Sequence, residues 1–151
     1  IVNVETIPGN TFFNCENLKE VDLSNVKNIS PLSFWNCRNL EIINNSSNVE
    51  VISKWAFTNC NALKELDLPT AKKVFESAFL SCESLKRINL PNIQEIVVTI
   101  LDNGEWLNYR DLKSFKDSIF QNCPSLEEIN LSKDVKMQGC EIFPKKSKKG
   151  K

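Results

Sequence analysis

The stretch Ala56-Phe57-Thr58-Asn59-Cys60-Asn61-Ala62-Leu63-Lys64-Glu65-Leu66-Asp67-Leu68-Pro69 returns 22 residues later as Ala78-Phe79-Leu80-Ser81-Cys82-Glu83-Ser84-Leu85-Lys86-Arg87-Ile88-Asn89-Leu90-Pro91. Working outward, Thr11 to Cys15, Ser33 to Cys37 and Ile119 to Cys123 carry the same Phe-x-x-Cys core. The five cysteines fall 22, 23, 22 and 41 residues apart. A fixed period of this size marks stacked repeats, and it is sought before any local reading because it governs the whole fold.

Counting from each Cys exposes the apolar frame. Leu18, Leu40, Leu63, Leu85 and Leu126 come three residues on, and Val21, Ile43, Leu66, Ile88 and Ile129 six on. Leu23, Asn45, Leu68, Leu90 and Leu131 come eight on. The last two steps alternate with period two, as in a strand with one buried face. Ile7, Ile29, Ile52 and Val74 recur five residues before the Phe. One coil cannot bury this set alone. Stacking removes it from water at roughly 1.5–3 kcal/mol per large side chain.

The gap of 41 is about two periods, so a degraded copy is expected between Cys82 and Cys123. Gly104 takes its Cys position, Leu107 and Leu112 fall on the frame, and Arg110 stands at a core position. Ile1, Val4 and Ile7 match Leu23, Val26 and Ile29, so the numbering is expected to begin inside a repeat of a longer array. The frame fades after Val135, with Cys140, Ile142 and Phe143 closing the last coil. The expected organisation is an array over 1–143 of about six repeats, the first truncated and the fifth degenerate, then a lysine-rich disordered tail over 144–151.

The pattern A-F-x-x-C-x-x-L-x-x-I-x-L-P resembles the BspA-like leucine-rich repeat over nearly the whole body, Ile1 to about Ile142. The resemblance implies a leucine-rich repeat solenoid: a curved right-handed coil with a parallel β-sheet on the concave face and short irregular or 3-10 segments on the convex side. It also implies adhesion or recognition by a secreted or cell-surface protein, and it brings no catalytic residue. Asn45 in a strand position, Gly104, Arg110 and the short return after Leu112 depart from the pattern.

Composition narrows the function. Histidine is absent, which removes the usual general base and the commonest metal ligand. No phosphate-cradling glycine motif is present, and no apolar run reaches the length of a membrane span. The formal charge is zero, yet Lys145, Lys146, Lys148, Lys149 and Lys151 leave the body with 14 basic against 19 acidic groups. An acidic body argues against nucleic acid as partner. No cofactor or metal site is read, and the spread-out cysteines lack the close pairs of a zinc site. As a ladder at one repeat position they read as buried free thiols, a bridge between successive rungs being the alternative that a spacing of roughly 4.8 Å leaves open, with Cys140, off that register, the most reactive.

Seven residues after each Cys position come Asp22, Asn44, Asp67, Asn89, Asp111 and Asn130, between two inward residues and therefore facing outward. This is expected as a ladder alternating Asp and Asn, in which Asn separates like charges on neighbouring strands. Two positions earlier come Glu20, Ile42, Glu65, Arg87, Tyr109 and Glu128, with Ile42, Arg87 and Tyr109 as anchors. The two columns form the candidate ligand-binding face, with solubility as its competing role. Asn14, Asn36, Asn59, Ser81 and Asn122, one before each Cys, read as turn residues. The N-glycosylation pattern occurs at Asn28, Asn44, Asn45 and Asn130, and sugar at Asn44 or Asn130 would stand on that face.

The sequence thus points to a non-enzymatic module of a longer array, monomeric, binding a protein or cell-surface macromolecule through the concave sheet. An intracellular, cytoplasmic scaffold is the alternative suggested by free thiols and the lysine tail. A carboxylate-dependent hydrolase is the alternative of another class.

Overall fold

The computed structural model of the chain describes residues 4–100, 119–132 and 136–141, with side chains left aside at 99, 100 and 136–141. Gly104, Leu107, Tyr109, Arg110, Asp111, Leu112 and the tail lie outside the described residues, as do Ile1, Val135, Ile142 and Phe143.

Each coil contributes two short strands. After each Cys come β2 (Glu20–Asp22), β4 (Ile42–Asn44), β6 (Glu65–Asp67), β8 (Arg87–Leu90) and β10 (Glu128–Leu131). Before each Phe come β1 (Thr6–Ile7), β3 (Asn28–Ile29), β5 (Val51–Ile52), β7 (Lys73–Phe75) and β9 (Glu95–Ile100), with β11 (Lys136–Glu141) closing the set. All pairings are parallel and join like positions of stacked coils. This is the solenoid expected from the repeats. The second set forms one six-stranded sheet in the order β1-β3-β5-β7-β9-β11, where only irregular segments were expected.

The core lies between the two sheets. Phe12, Phe34, Phe57, Phe79 and Phe120 stack ring on ring, with centroids 5.1, 5.0, 5.4 and 5.7 Å apart. Leu40, Leu63 and Leu85 close one side of this column and Ile29, Ile52, Val74 and Ile96 the other, all fully buried. Asn14, Asn36, Asn59, Ser81 and Asn122 hold φ of 58–64°, a left-handed bend that Asn tolerates better than bulky residues do. Turn chemistry therefore accounts for that column, and Asn36 Nδ2 donates to Asn14 Oδ1 at 2.8 Å along it.

Two expectations need correction. The first concerns Asn45. Asn45 is exposed at φ 58°, and Ser46 fills the buried position held elsewhere by Leu23, Leu68 and Leu90. The extra residue of the 23-residue repeat is extruded at Asn45. Ser46 Oγ then donates to the Asp67 carbonyl at 2.6 Å, and the sheet is divided there into β2-β4 and β10-β8-β6.

The second concerns the degraded copy. β8 pairs directly with β10, Asn89 beside Asn130, and β9 pairs directly with β11. Phe79 N–H donates to the Ile119 carbonyl at 3.2 Å, and Ser81 N–H to that of Gln121 at 2.9 Å. The described strands therefore place Asp67, Asn89 and Asn130 side by side in that order, two Asn in succession where alternation with Asp was expected. The gap of 41 is about two periods long but joins adjacent coils.

Candidate functional site

The candidate face is the outward side of β2, β4, β6, β8 and β10. Strand alternation puts it there, since Val21, Leu66 and Ile88 point into the core and their flanking residues cannot. Of the twelve candidate residues, ten lie on this face. These are Glu20, Asp22, Ile42, Asn44, Glu65, Asp67, Arg87, Asn89, Glu128 and Asn130. Tyr109 and Asp111 lie outside the described residues.

The asparagines do more than space the charges. Asn89 Nδ2 donates to Asp67 Oδ1 at 2.6 Å, and Asn130 Nδ2 donates to Asn89 Oδ1 at 2.6 Å. Asn44 Nδ2 donates to Glu20 Oε1 at 2.5 Å. Each amide thus acts as a rung-to-rung donor, and the Glu20 and Asp67 carboxylates are held in place by it. Arg87 Nη2 lies 3.5 Å from Glu65 Oε2, an exposed bridge worth about 0.2–1 kcal/mol.

Asp22 is differently held. Its Oδ1 accepts from Ser24 N–H at 2.8 Å, Ser24 Oγ at 2.6 Å and Asn45 Nδ2 at 3.1 Å. These bonds, the Ser24 hydroxyl first, lower its pKa from 3.8 to about 2. Asp22 is therefore a turn-forming residue as well as a face residue, which its column position did not reveal.

The division of the sheet opens a cleft of about 450 Å³ lined by Glu41, Ile42, Ile43, Lys64, Glu65 and Lys86. Ile42 stands at this cleft 48% exposed, where β4 and β6 part. Of the expected anchors, Ile42 is thus free to be covered by a partner, whereas Arg87 is half-buried and engaged with Glu65.

The other sheet carries a pattern that sequence reasoning missed. Ten residues before Cys15, Cys37, Cys60 and Cys82 stand Glu5, Lys27, Glu50 and Lys72, alternating in sign. Lys27 bridges Glu5 at 3.5 Å, Lys72 bridges Glu50 at 3.9 Å, and Lys73 beside them bridges Glu95 at 3.3 Å. Lys54 reaches the buried Glu76 at 3.3 Å. This face neutralises itself coil by coil. On the candidate face, Glu20, Asp22, Glu65, Asp67 and Glu128 meet one guanidinium, Arg87, among the described residues. The signal was visible in the repeat register, at a position where no strand was expected.

The cysteine ladder is buried as expected at Cys37, Cys60 and Cys82, and half-buried at Cys15 and Cys123, all as free thiols. Cys37, Cys60, Cys82 and Cys123 each donate S–H to the carbonyl of a Phe one coil back, at 3.0–3.2 Å. Burial pushes the Cys37 thiol up to about 11 and those of Cys60 and Cys82 well above normal. The side chain of Cys140 lies outside the described residues.

The BspA type leucine rich repeat region matches residues 2–108 and 105–149, in six copies. No curated protein and no solved structure matches the chain. Leucine-rich repeats of this type form a protein-interaction fold that is typically non-enzymatic and often surface-associated. No helix among the described residues is long and apolar enough to cross a membrane. With the repeat register, the stacked coils and the matched span in agreement, the chain belongs to the BspA-type leucine-rich repeat family.

Proposed function

We propose that this chain is a non-enzymatic binding module, displayed at the cell surface or secreted, that recognises a protein through the face of β2, β4, β6, β8 and β10. One observation carries the reading: among the described residues Arg87 bridges Glu65 on this face while Glu20, Asp22, Asp67 and Glu128 form no ion pair, whereas the other sheet pairs its charges between coils. A face needed only for solubility has no reason to differ from its opposite in this way. The fitting partner presents Lys or Arg around an apolar side chain, the basic groups meeting Glu20, Asp67 and Glu128 and the apolar group covering Ile42. Complementary charge speeds encounter and sets orientation, and the covered apolar residue supplies affinity.

The test is a pull-down from parent-cell or host-cell extract with three forms of the chain. They are the native form, one carrying Glu20→Lys, Asp67→Lys and Glu128→Lys, and one carrying Lys27→Glu and Lys72→Glu. A partner kept by the native and last forms and lost by the triple variant, all three folded, supports the face. Loss from the last form alone moves binding to the other sheet.

A second reading, an intracellular scaffold, is favoured by the free thiols of Cys15, Cys37, Cys60, Cys82 and Cys123. Surface biotinylation of intact cells separates the two: labelling supports display, and labelling only after lysis supports the scaffold.

A further inference from the structure

The geometry points to Cys123 and Cys82 as an oxidisable pair, in which hydrogen peroxide acts on Cys123 and the resulting disulfide staples the coil of β10 to the coil of β8. The two cysteines occupy the same repeat position on directly stacked coils. Their registers are locked on either side, by the Phe79–Phe120 stack at 5.7 Å and by Ser81 N–H on the Gln121 carbonyl at 2.9 Å. Asn122 Nδ2 adds a bond to Ser81 Oγ at 3.0 Å. Parallel neighbours stand roughly 4.8 Å apart, within the Cα separation of about 4.4–6.8 Å that a disulfide spans. Cys123 Sγ lies 3.0 Å from the Phe79 carbonyl, the same carbonyl that accepts Cys82 N–H at 3.3 Å. The Cys123 sulfur is thus held against the backbone turn of Cys82, whose own Sγ donates to the Phe57 carbonyl at 3.1 Å and turns from it to meet Cys123.

Their environments differ as an attacking and a resolving thiol require. Cys123 is half-buried and Cys82 fully buried. The Cys82 thiol beside it pulls the pKa of Cys123 down, while burial pushes that of Cys82 up. Cys123 thus holds the larger share of reactive thiolate and is the one peroxide reaches.

The chemistry balances in two steps. The Cys123 thiolate attacks one peroxide oxygen, the O–O bond breaks, and hydroxide leaves, giving the sulfenic acid. Cys82 gives up its proton and its sulfur attacks the Cys123 sulfur. The S–O bond breaks, and the departing hydroxide takes that proton as water. Cys82 and Cys123 are 41 residues apart, so the bond closes a long loop of the chain.

The test treats the full chain with hydrogen peroxide, blocks remaining thiols by alkylation in denaturant, and maps disulfides by mass spectrometry without reduction. The expected result is loss of two of the six alkylatable thiols and a cross-linked Cys82–Cys123 peptide pair. In the Cys82→Ala variant, dimedone should trap sulfenic acid at Cys123. Should that variant not fold, dimedone present during oxidation of the native chain should mark Cys123 and suppress the cross-link. A cross-link between Cys15 and Cys37, one between Cys123 and Cys140, or retention of all six thiols overturns the proposal.

Discussion

Asn130 donates its side-chain amide to Asn89 Oδ1 at 2.6 Å, although 41 residues separate the two in sequence. A single bond of this length places β10 beside β8 with nothing between them. Direct neighbours on parallel strands stand roughly 4.8 Å apart, whereas an intervening coil would double that spacing. The double variant Asn89→Cys, Asn130→Cys should therefore form a disulfide under mild oxidation, detected by non-reducing peptide mapping. Failure of the two engineered cysteines to pair would restore a coil between the strands.

The aromatic column sets the stability. Phe57 is fully buried and stacks on Phe34 and Phe79 with interplanar angles of 1° and 2°. Phe57→Ala should cost about 3–5 kcal/mol, since it removes apolar contact on both sides and leaves a cavity between coils. Leu66→Ala and Ile88→Ala, also core positions, should cost about 2–5 kcal/mol each. Denaturant unfolding measures all three. A midpoint unchanged by Leu66→Ala would mean that the strand faces are reversed.

The repeat register made most of this legible. The Phe, Leu and Ile columns fell inward because several positions recur together, and the outward face followed by alternation. What stayed illegible was local. A 23-residue repeat announces one extra residue but not where it goes. Asn45 and Ser46 compete for one buried slot, and the shorter side chain took it because its hydroxyl reaches the Asp67 carbonyl. The pairing of β8 with β10 stayed illegible for another reason: a gap of about two periods does not say which strands become neighbours. The charge alternation from Glu5 to Lys72 needed knowledge that a second sheet exists. The pairing of the sheet face with a binding role rested on family resemblance, and the contrast between the two faces is what physical argument adds.

Asp22 makes stability depend on pH. Its pKa is lowered in the folded chain from 3.8 to about 2, so the folded state favours the ionised form. For a lowered carboxylate the stabilisation is complete above the ordinary value and is lost as pH falls toward the folded value. Denaturation midpoints should therefore drop between about pH 5 and about pH 2 more steeply for the native chain than for Asp22→Asn. Equal slopes would show that the three bonds to Asp22 Oδ1 contribute nothing in solution. Asp67→Ala is the control, since among the described residues the Asp67 carboxylate accepts from one side chain, Asn89.

The last prediction joins stability to function at the divided sheet. Ser46 is buried where Leu23, Leu68 and Leu90 are fully buried, and Asn45 is the residue extruded to make that possible. Deleting Asn45 and replacing Ser46→Leu restores a 22-residue repeat with Leu in the slot. Burying that side chain should raise stability by about 1–3 kcal/mol, less the Ser46 bond to the Asp67 carbonyl. The same change should let β4 pair with β6, slowing hydrogen exchange of the Lys64 and Glu65 amides and closing the cleft beside Ile42. If the cleft is where a partner covers Ile42, the more stable chain should bind it less well. A variant that gains stability and keeps full binding would place the contact on the carboxylates alone, and one that loses stability would show that the division of the sheet is itself required by the fold.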